Sequence, residues 1–263
     1  MAAPLRPSLT AASAASAFER AFSYSKLPAV AVVINSPGGS PVQSNLLFKR
    51  LRQLSEEKKK KIYVFCEDVA ASGGYFLAVA GDEIYADPSS IVGSIGVIAA
   101  SFGFVEAINK LGIERRVYTA GENKSILDPF RPVQPEDIER LKSIQLDIHE
   151  VFKNVVRSRR GSKLVGDERE LFSGAFWSAA KAQEMGLIDG ISDVRTKMRE
   201  LFGDEIVLHN IKLQTGGLLS RLRRPVIATP GFDAETLGEL KLGLAEDLIS
   251  TLEKRMLWQR YGL

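Results

Sequence analysis

AVAVVIN at Ala29–Asn35 and KIYVFC at Lys61–Cys66 are apolar runs rich in β-branched residues, polar only at the terminal Asn35 and Lys61. Such runs form strands covered on both faces, as in a parallel sheet. Between them Leu47, Leu51 and Leu54 recur at helical spacing, so the segment predicts a strand–helix–strand crossover of the right-handed kind. An Ala-rich amphipathic stretch, Ser13 to Phe22, predicts a preceding helix that ends by Lys26–Pro28. Downstream the pattern predicts a short strand at Glu83–Ala86, an apolar stretch at Ser94–Ala100, a helix near Phe104–Leu111 and a strand at Glu114–Thr119. A long helix then opens with Pro135 and two acids, which suit a first turn. Its apolar residues Ile138, Leu141, Ile144 or Ile148, Phe152 and Val155 follow three- and four-residue steps, and it closes in RSRRG. GAFWSAAKAQEMGLIDG and SDVRTKMRELFG read as two short helices, and IVLHNIKL as an edge strand. The organisation is an Ala/Ser-rich segment and helix over 1–28, one α/β domain over 29–213, and a basic linker with a C-terminal helical arm over 214–263.

Composition removes several function classes. The 263 residues suffice for a full α/β core. A formal charge of +3 gives no footprint for nucleic acid. The dense run Lys58–Lys61 follows Glu56–Glu57 at a helix end, where cations suit the dipole and remain solvated. Cys66 is the only cysteine, so neither an intramolecular disulfide nor an all-cysteine metal site can form; within a strand it reads as a small hydrophobe. The longest uncharged window, Pro88 to Val105, is diluted by Gly93, Gly96, Gly103 and four serines, and reads as strand and loop, not as a membrane span. Any membrane association would be peripheral, with a cytoplasmic or membrane-associated location favoured over an organelle.

The candidate chemistry centres on Ser72, in EDVAASGGYFLA. The P-loop, HExxH, GxGxxG and CxxC patterns are all missing, so no metal or cofactor is expected. GxSxG is missing too, because Ala70 stands where its first glycine would be. His149 and His209 lie on a charged helix flank and in a late strand, which disfavours a histidine-based triad. A neutral lysine can activate a serine instead. Holding a lysine neutral at pH 7 means lowering its pKa from about 10.4 by roughly 3.4, at a cost of about 4.6 kcal/mol, so the base must be desolvated. Lys124, in AGENKSILDPF before Ile126–Leu127, meets that criterion best by elimination. Backbone N–H groups at the SPGGS turn and at Gly73 could receive an oxyanion, and two crossover strands ending side by side would bring both to one sheet edge. Ala70 and Ala71 would leave the approach to Ser72 open.

NSPGG at 35–39, DVAASGGY at 68–75, DPSSIVGSIGV at 87–97, GENKS at 121–125 and FSGAFWSAAKAQEMGLID at 172–189 together resemble the signal-peptide peptidase A, or protease IV, family of serine peptidases. The resemblance covers roughly Ala29 to Val194. It implies an α/β fold of the ClpP/crotonase type, built from repeated β-β-α and βαβ units. It also implies that Ser72 is the nucleophile, Lys124 the general base and Ser94 the serine that positions the lysine, with Gly38 and Gly73 donating backbone N–H groups to the oxyanion. No cofactor or metal is implied. The implied substrates are cleaved signal peptides or other small or unfolded peptides, and the implied assembly is a homo-oligomeric ring whose sites can draw on adjacent subunits. Two features depart from the family: its usual N-terminal membrane anchor and its initial strand have no counterpart here, so the expectation is a shortened form or a sheet edge that a partner covers. Two alternatives stay open, namely an acyl-CoA hydratase or isomerase-like enzyme on the same fold, and a catalytically inactive peptide-binding or oligomer subunit.

Overall fold

The computed structural model describes residues 9–213, 256 and 258–262. Helix α1 (Ala11–Ser23) starts at a capping box in which Thr10 and Ser13 exchange side-chain and backbone hydrogen bonds. Strand β1 (Ala29–Ser36) leads into α2 (Pro41–Lys58), which Ser40 caps and Pro41 begins. It ends with Lys59 in the left-handed region. Strand β2 (Lys61–Ala71) is the longest and the centre of the sheet. Helix α3 (Gly73–Ala78), strand β3 (Glu83–Ala86) and strand β4 (Ile91–Gly93) follow.

Strand β2 pairs in parallel with β1 on one side and with two strands in succession on the other. Its first half, Tyr63–Cys66, faces β3, and its last three residues, Val69–Ala71, face β4. The sheet therefore splits beyond Cys66, and β4 carries its own neighbour, the antiparallel β5 (Phe176–Ser178), while β3 carries β6 (Gly190–Ile191). Alternation along β2 fills two layers. Ile62, Val64 and Cys66 join Phe22, Leu51 and Leu54 in the main core, whereas Tyr63 and Phe65 meet Tyr85 and Met198 of α8 (Val194–Phe202) on the opposite face. The α/β fold with parallel central strands is as expected from the apolar runs; the antiparallel β5 makes the sheet mixed.

Helix α5 (Pro135–Arg160) is as long as the pattern predicts, and only Phe152, Val156 and Arg160 of it are buried. Its end is anchored by charge: Arg160, buried, donates to Asp189 at 2.7 Å and to the Gly186 carbonyl, and Lys163 holds the other Asp189 oxygen at 2.6 Å. Arg159 and Arg52 converge likewise on Asp82. Helix α4 (Val105–Lys110) is present, but Glu114–Thr119 forms no strand. Those residues are exposed, and with neither a paired edge nor a covered face their apolar content is insufficient to make one. IVLHNIKL, 206–213, is likewise irregular. The short α6 (Glu168–Leu171) precedes the segment that reads as one helix after Gly174, which begins as β5 and becomes helical in α7 (Ala179–Glu184), where Ser178 provides the cap. The predicted linker at 214–232, and all of the helix predicted at 236–258 except Met256 and Trp258, lie outside the described residues.

Candidate active site

Ser72 ends β2 and begins α3 with φ 52° and ψ −121°. A non-glycine residue in that region is strained; here the turn reverses the chain between strand and helix and leaves Ser72 half-buried while Ala71 and Gly73 are buried. Its N–H donates to the Gly93 carbonyl at 2.8 Å, which ties the turn to the end of β4. The residue after Gly93, Ser94, is 3% exposed, also has a positive φ of 53°, and donates its N–H to the Ala175 carbonyl at 2.7 Å. The geometry is that of a nucleophile elbow without the GxSxG pattern. No motif signals it, because small residues other than glycine satisfy the same crowding.

The SPGGS turn after β1 closes on this elbow. Gly38 has φ +118°, and a Cβ placed there would come within 2.8 Å of the Ser72 Cβ and 3.1 Å of the Gly73 nitrogen; only glycine allows the two loops to meet. Behind them a Cβ at Gly74 would lie 2.5 Å from the Ser36 carbonyl oxygen. The N–H of Gly38 donates to Ser36 Oγ at 3.3 Å, whereas that of Gly39 has no hydrogen-bond acceptor among the described residues, and its nitrogen lies 3.1 Å from where a Gly73 side chain would start. Gly73 opens α3, so its N–H has no acceptor within the helix. Sequence reasoning places the donors in the SPGGS turn without separating Gly38 from Gly39, and it misses Ser36, whose hydroxyl opens that turn within reach of the Gly38 N–H.

The structure thus brings Ser72, Ser94, Gly38 and Gly73 together at one end of β2 and β4. It does not bring Lys124 into contact with them. Lys124 is exposed in a run of turns, its N–H bonded to the Gly121 carbonyl at 3.2 Å, and its ammonium makes no hydrogen bond or ion pair among the described residues. The alanines before Ser72 also play a different part from the one expected. Ala70 packs in the main core, and Ala71 is fully buried on the opposite face against Tyr261, so their small size serves packing. His149 is half-buried with Nε2 3.0 Å from the Ile95 carbonyl, and the His209 ring lies tilted against Tyr24 at 4.8 Å; neither makes a hydrogen bond to Ser72 among the described residues. Burial pushes the Cys66 thiol up to about 12, which leaves it an inert core residue.

A family model for peptidase family S49 matches residues 55–204. The chain belongs to peptidase family S49. It is 31% identical over 167 residues to the chloroplastic serine protease SPPA of Arabidopsis thaliana, a match covering 63% of this chain and 24% of that protein. It is also 53% and 52% identical over 259 residues to proteins of Brucella abortus (strain 2308) and Brucella melitensis biotype 1, each named Na(+)/H(+) antiporter NhaA, with 98% of this chain and 35% of each relative covered. The chain therefore spans only about a third or less of the length of these relatives. The family match takes in the elbow, β4 and Lys124, and agrees with the resemblance to signal-peptide peptidases read from the motifs.

Proposed function

We propose that the chain is a serine endopeptidase that works through a Ser72–Lys124 dyad and an acyl-enzyme. The observation that carries this reading is the strained elbow at Ser72, closed over by the Gly38–Gly39 turn. Neutral Lys124 takes the hydroxyl proton as Ser72 Oγ attacks the peptide carbonyl carbon. The oxyanion accepts from the Gly73 N–H and from the Gly38–Gly39 pair, and Gly39 has the freer N–H in the resting arrangement. The lysine then returns the proton to the leaving amine. Water, deprotonated by the same lysine, attacks the ester carbonyl; the bond to Ser72 Oγ breaks, the lysine returns the proton to that oxygen, and the carboxylic acid leaves. Ser94, buried beside the elbow, would orient the lysine when it arrives.

A lysine acts as a base at neutral pH only when it is desolvated, and Lys124 is exposed in a single chain. No residue from Gly96 to Val151 is buried, and Phe102, Leu111, Tyr118, Val133 and Leu146 of that stretch are all more than half exposed. Apolar exposure on that scale marks an interaction surface. A second copy of the chain seated there would bury the lysine and complete the site, in keeping with a homo-oligomeric ring. Substrates would be remnant signal peptides or other small or unfolded peptides. Sodium–proton exchange is not carried over to this chain: it matches 35% of each protein so named, and among the described residues no helix is long and apolar enough to cross a membrane.

A serine-directed acylating probe tests the reading on the wild type, Ser72→Ala and Lys124→Ala. Labelling of the wild type alone supports both roles. Equal labelling of all three would overturn it.

A further inference from the structure

Strands β1 and β2 fall out of step just before the elbow. From Ala29 opposite Lys61 to Ile34 opposite Cys66 they pair residue by residue, but the next pair is Ser36 with Ala70. Asn35 alone therefore spans Glu67, Asp68 and Val69, and β2 carries a bulge of the kind that re-aims a strand beside an active site. The bulge decides which groups meet. Carried on past Ser36, the shifted register sets Ser72 opposite Gly38; the register before the shift would set Ala70 there and run Ser72 past the glycine turn. The contact that admits only glycine, with a Gly38 Cβ 2.8 Å from the Ser72 Cβ, is the one the shifted register makes.

A bulge interrupts the ladder of backbone hydrogen bonds, and an N–H left buried there needs another acceptor. Val69 is fully buried, and its N–H donates to the side chain of Asn35, Oδ1, at 3.3 Å. The Asn35 Nδ2 donates in turn to an Asp68 carboxylate oxygen at 2.6 Å. A carboxylate only accepts, so the amide nitrogen faces Asp68 and the amide oxygen is left for Val69. Asn35 and Asp68 are both exposed, so neither serves to fill the core. On the other side of β2 the buried Ser90 hydroxyl donates to the Cys66 carbonyl at 3.0 Å, and the strand is thus held by side chains on both flanks of the bulge.

We propose that Asn35, oriented by Asp68, is a positioning residue for the peptidase reaction: it holds the bulge that sets the glycine turn after β1 against the Ser72 elbow of β2. The inference rests on the peptidase reading, because it takes the Gly38–Gly39 turn to receive the oxyanion. Asn35 makes no hydrogen bond to Ser72 among the described residues. It acts through Val69, on the strand that carries the elbow, and through its neighbour Ser36, whose hydroxyl takes the Gly38 N–H. A slip of the turn against the elbow misplaces donors whose hold tightens as the oxyanion develops, so its cost falls on kcat and not on KM.

The test is to swap the two side chains in the full chain, with a fluorogenic peptide amide as substrate. Asn35→Ala removes the acceptor and should lower kcat about a hundredfold, as a misplacement of about 1 Å does, while KM stays near its wild-type value. Asn35→Asp keeps an acceptor for Val69 but sets two carboxylates against each other, and kcat should fall in the same way. Adding Asp68→Asn to Asn35→Asp restores one amide and one carboxylate in reversed order, and should recover most of the lost kcat. The double variant decides the matter even where Asn35→Ala melts early. A double variant no better than Asn35→Asp would overturn the proposal, as would wild-type kcat in Asn35→Ala or a loss confined to KM. Hydrogen exchange reads the same lock without activity: the Val69 amide, resolved by NMR, should exchange slowly in the wild type and the double variant and faster in Asn35→Ala, and equal exchange in all three would also overturn it. A wild type that neither hydrolyses peptide nor labels at Ser72, while Val69 follows that order, would count against the peptidase reading and not against the hold of Asn35 on the register.

Discussion

Around Ser72 the neighbouring elements are finished: Ala71, Gly73 and Ser94 are buried, and two loops meet at a contact that admits only glycine. The stretch that carries Lys124 has no buried residue from Gly96 to Val151. Helix α5 crosses between the two conditions. Its last turns are held by Phe152, Val156 and the pairing of buried Arg160 with half-buried Asp189, while Ile144 and Leu146, nearer its start, stand exposed. A single copy therefore contains a formed elbow and glycine turn, and presents its candidate base on an arm whose apolar residues lack a covering. The difference separates what the chain folds by itself from what an assembly would add.

Substitution at each half should break the comparison differently. Ser72→Ala is expected to abolish peptide hydrolysis, a loss of about a thousandfold or more, with an unchanged melting temperature. Lys124→Met should cost about a hundredfold to ten-thousandfold in kcat, again without loss of fold, since an exposed side chain contributes little to stability. Leu111→Asp places a charge on the bare surface. Light scattering should show a smaller particle, and active-site labelling should fall in step, while melting changes little. Retained labelling in a dissociated chain would show that Lys124 needs no second copy.

The anchored half answers to stability instead. Arg160→Met leaves Asp189 without its buried partner and should cost about 3–5 kcal/mol in urea unfolding. Acid sharpens the same point by a smaller amount. Burial alone would raise the Asp189 carboxyl, but the Arg160 and Lys163 hydrogen bonds outweigh it and hold it below its usual range; against the same effect of burial, Asp82 is held low through the Ile62 N–H and Arg159. A depressed carboxylate contributes its stability above its unfolded value, near 3.9, and loses it as pH falls through the folded one. Stability should be level near neutrality and decline below about pH 4, with a shallower decline in Asp189→Asn.

What can be read in the sequence follows the same division. β2 and β3 are legible because both faces of each are covered, and a continuous apolar run has few other uses; β1 forms as its run predicts, but only Ile34 of it is buried and Val33 stands exposed, so the double cover expected of it is absent among the described residues. Pro135 and the terminal arginines mark the limits of α5. Glu114–Thr119 and 206–213 have strand-like composition without a neighbour to pair with, so local pattern misleads there. Ser72 stands out through its small neighbours, yet its left-handed backbone cannot be foreseen from a motif that lacks the first glycine. Ser36 Oγ on the Gly38 N–H and the packing of Tyr261 on Ala71 depend on contacts across 2 and 190 positions of chain respectively; the first is hidden in the detail of one turn, and the second leaves no periodic trace. Lys124 emerges only by elimination and by resemblance, and its exposure in one chain explains why no pattern of burial marks it.

The most direct test is to map the acyl adduct. After exposure of the wild type and Lys124→Met to a serine-directed acylating probe, proteolytic fragments are weighed by mass spectrometry. A Ser72–Lys124 dyad predicts one adduct, on the fragment containing Ser72, formed in the wild type and nearly absent from Lys124→Met. An adduct on another serine, or equal modification of Ser72 in both proteins, would contradict it.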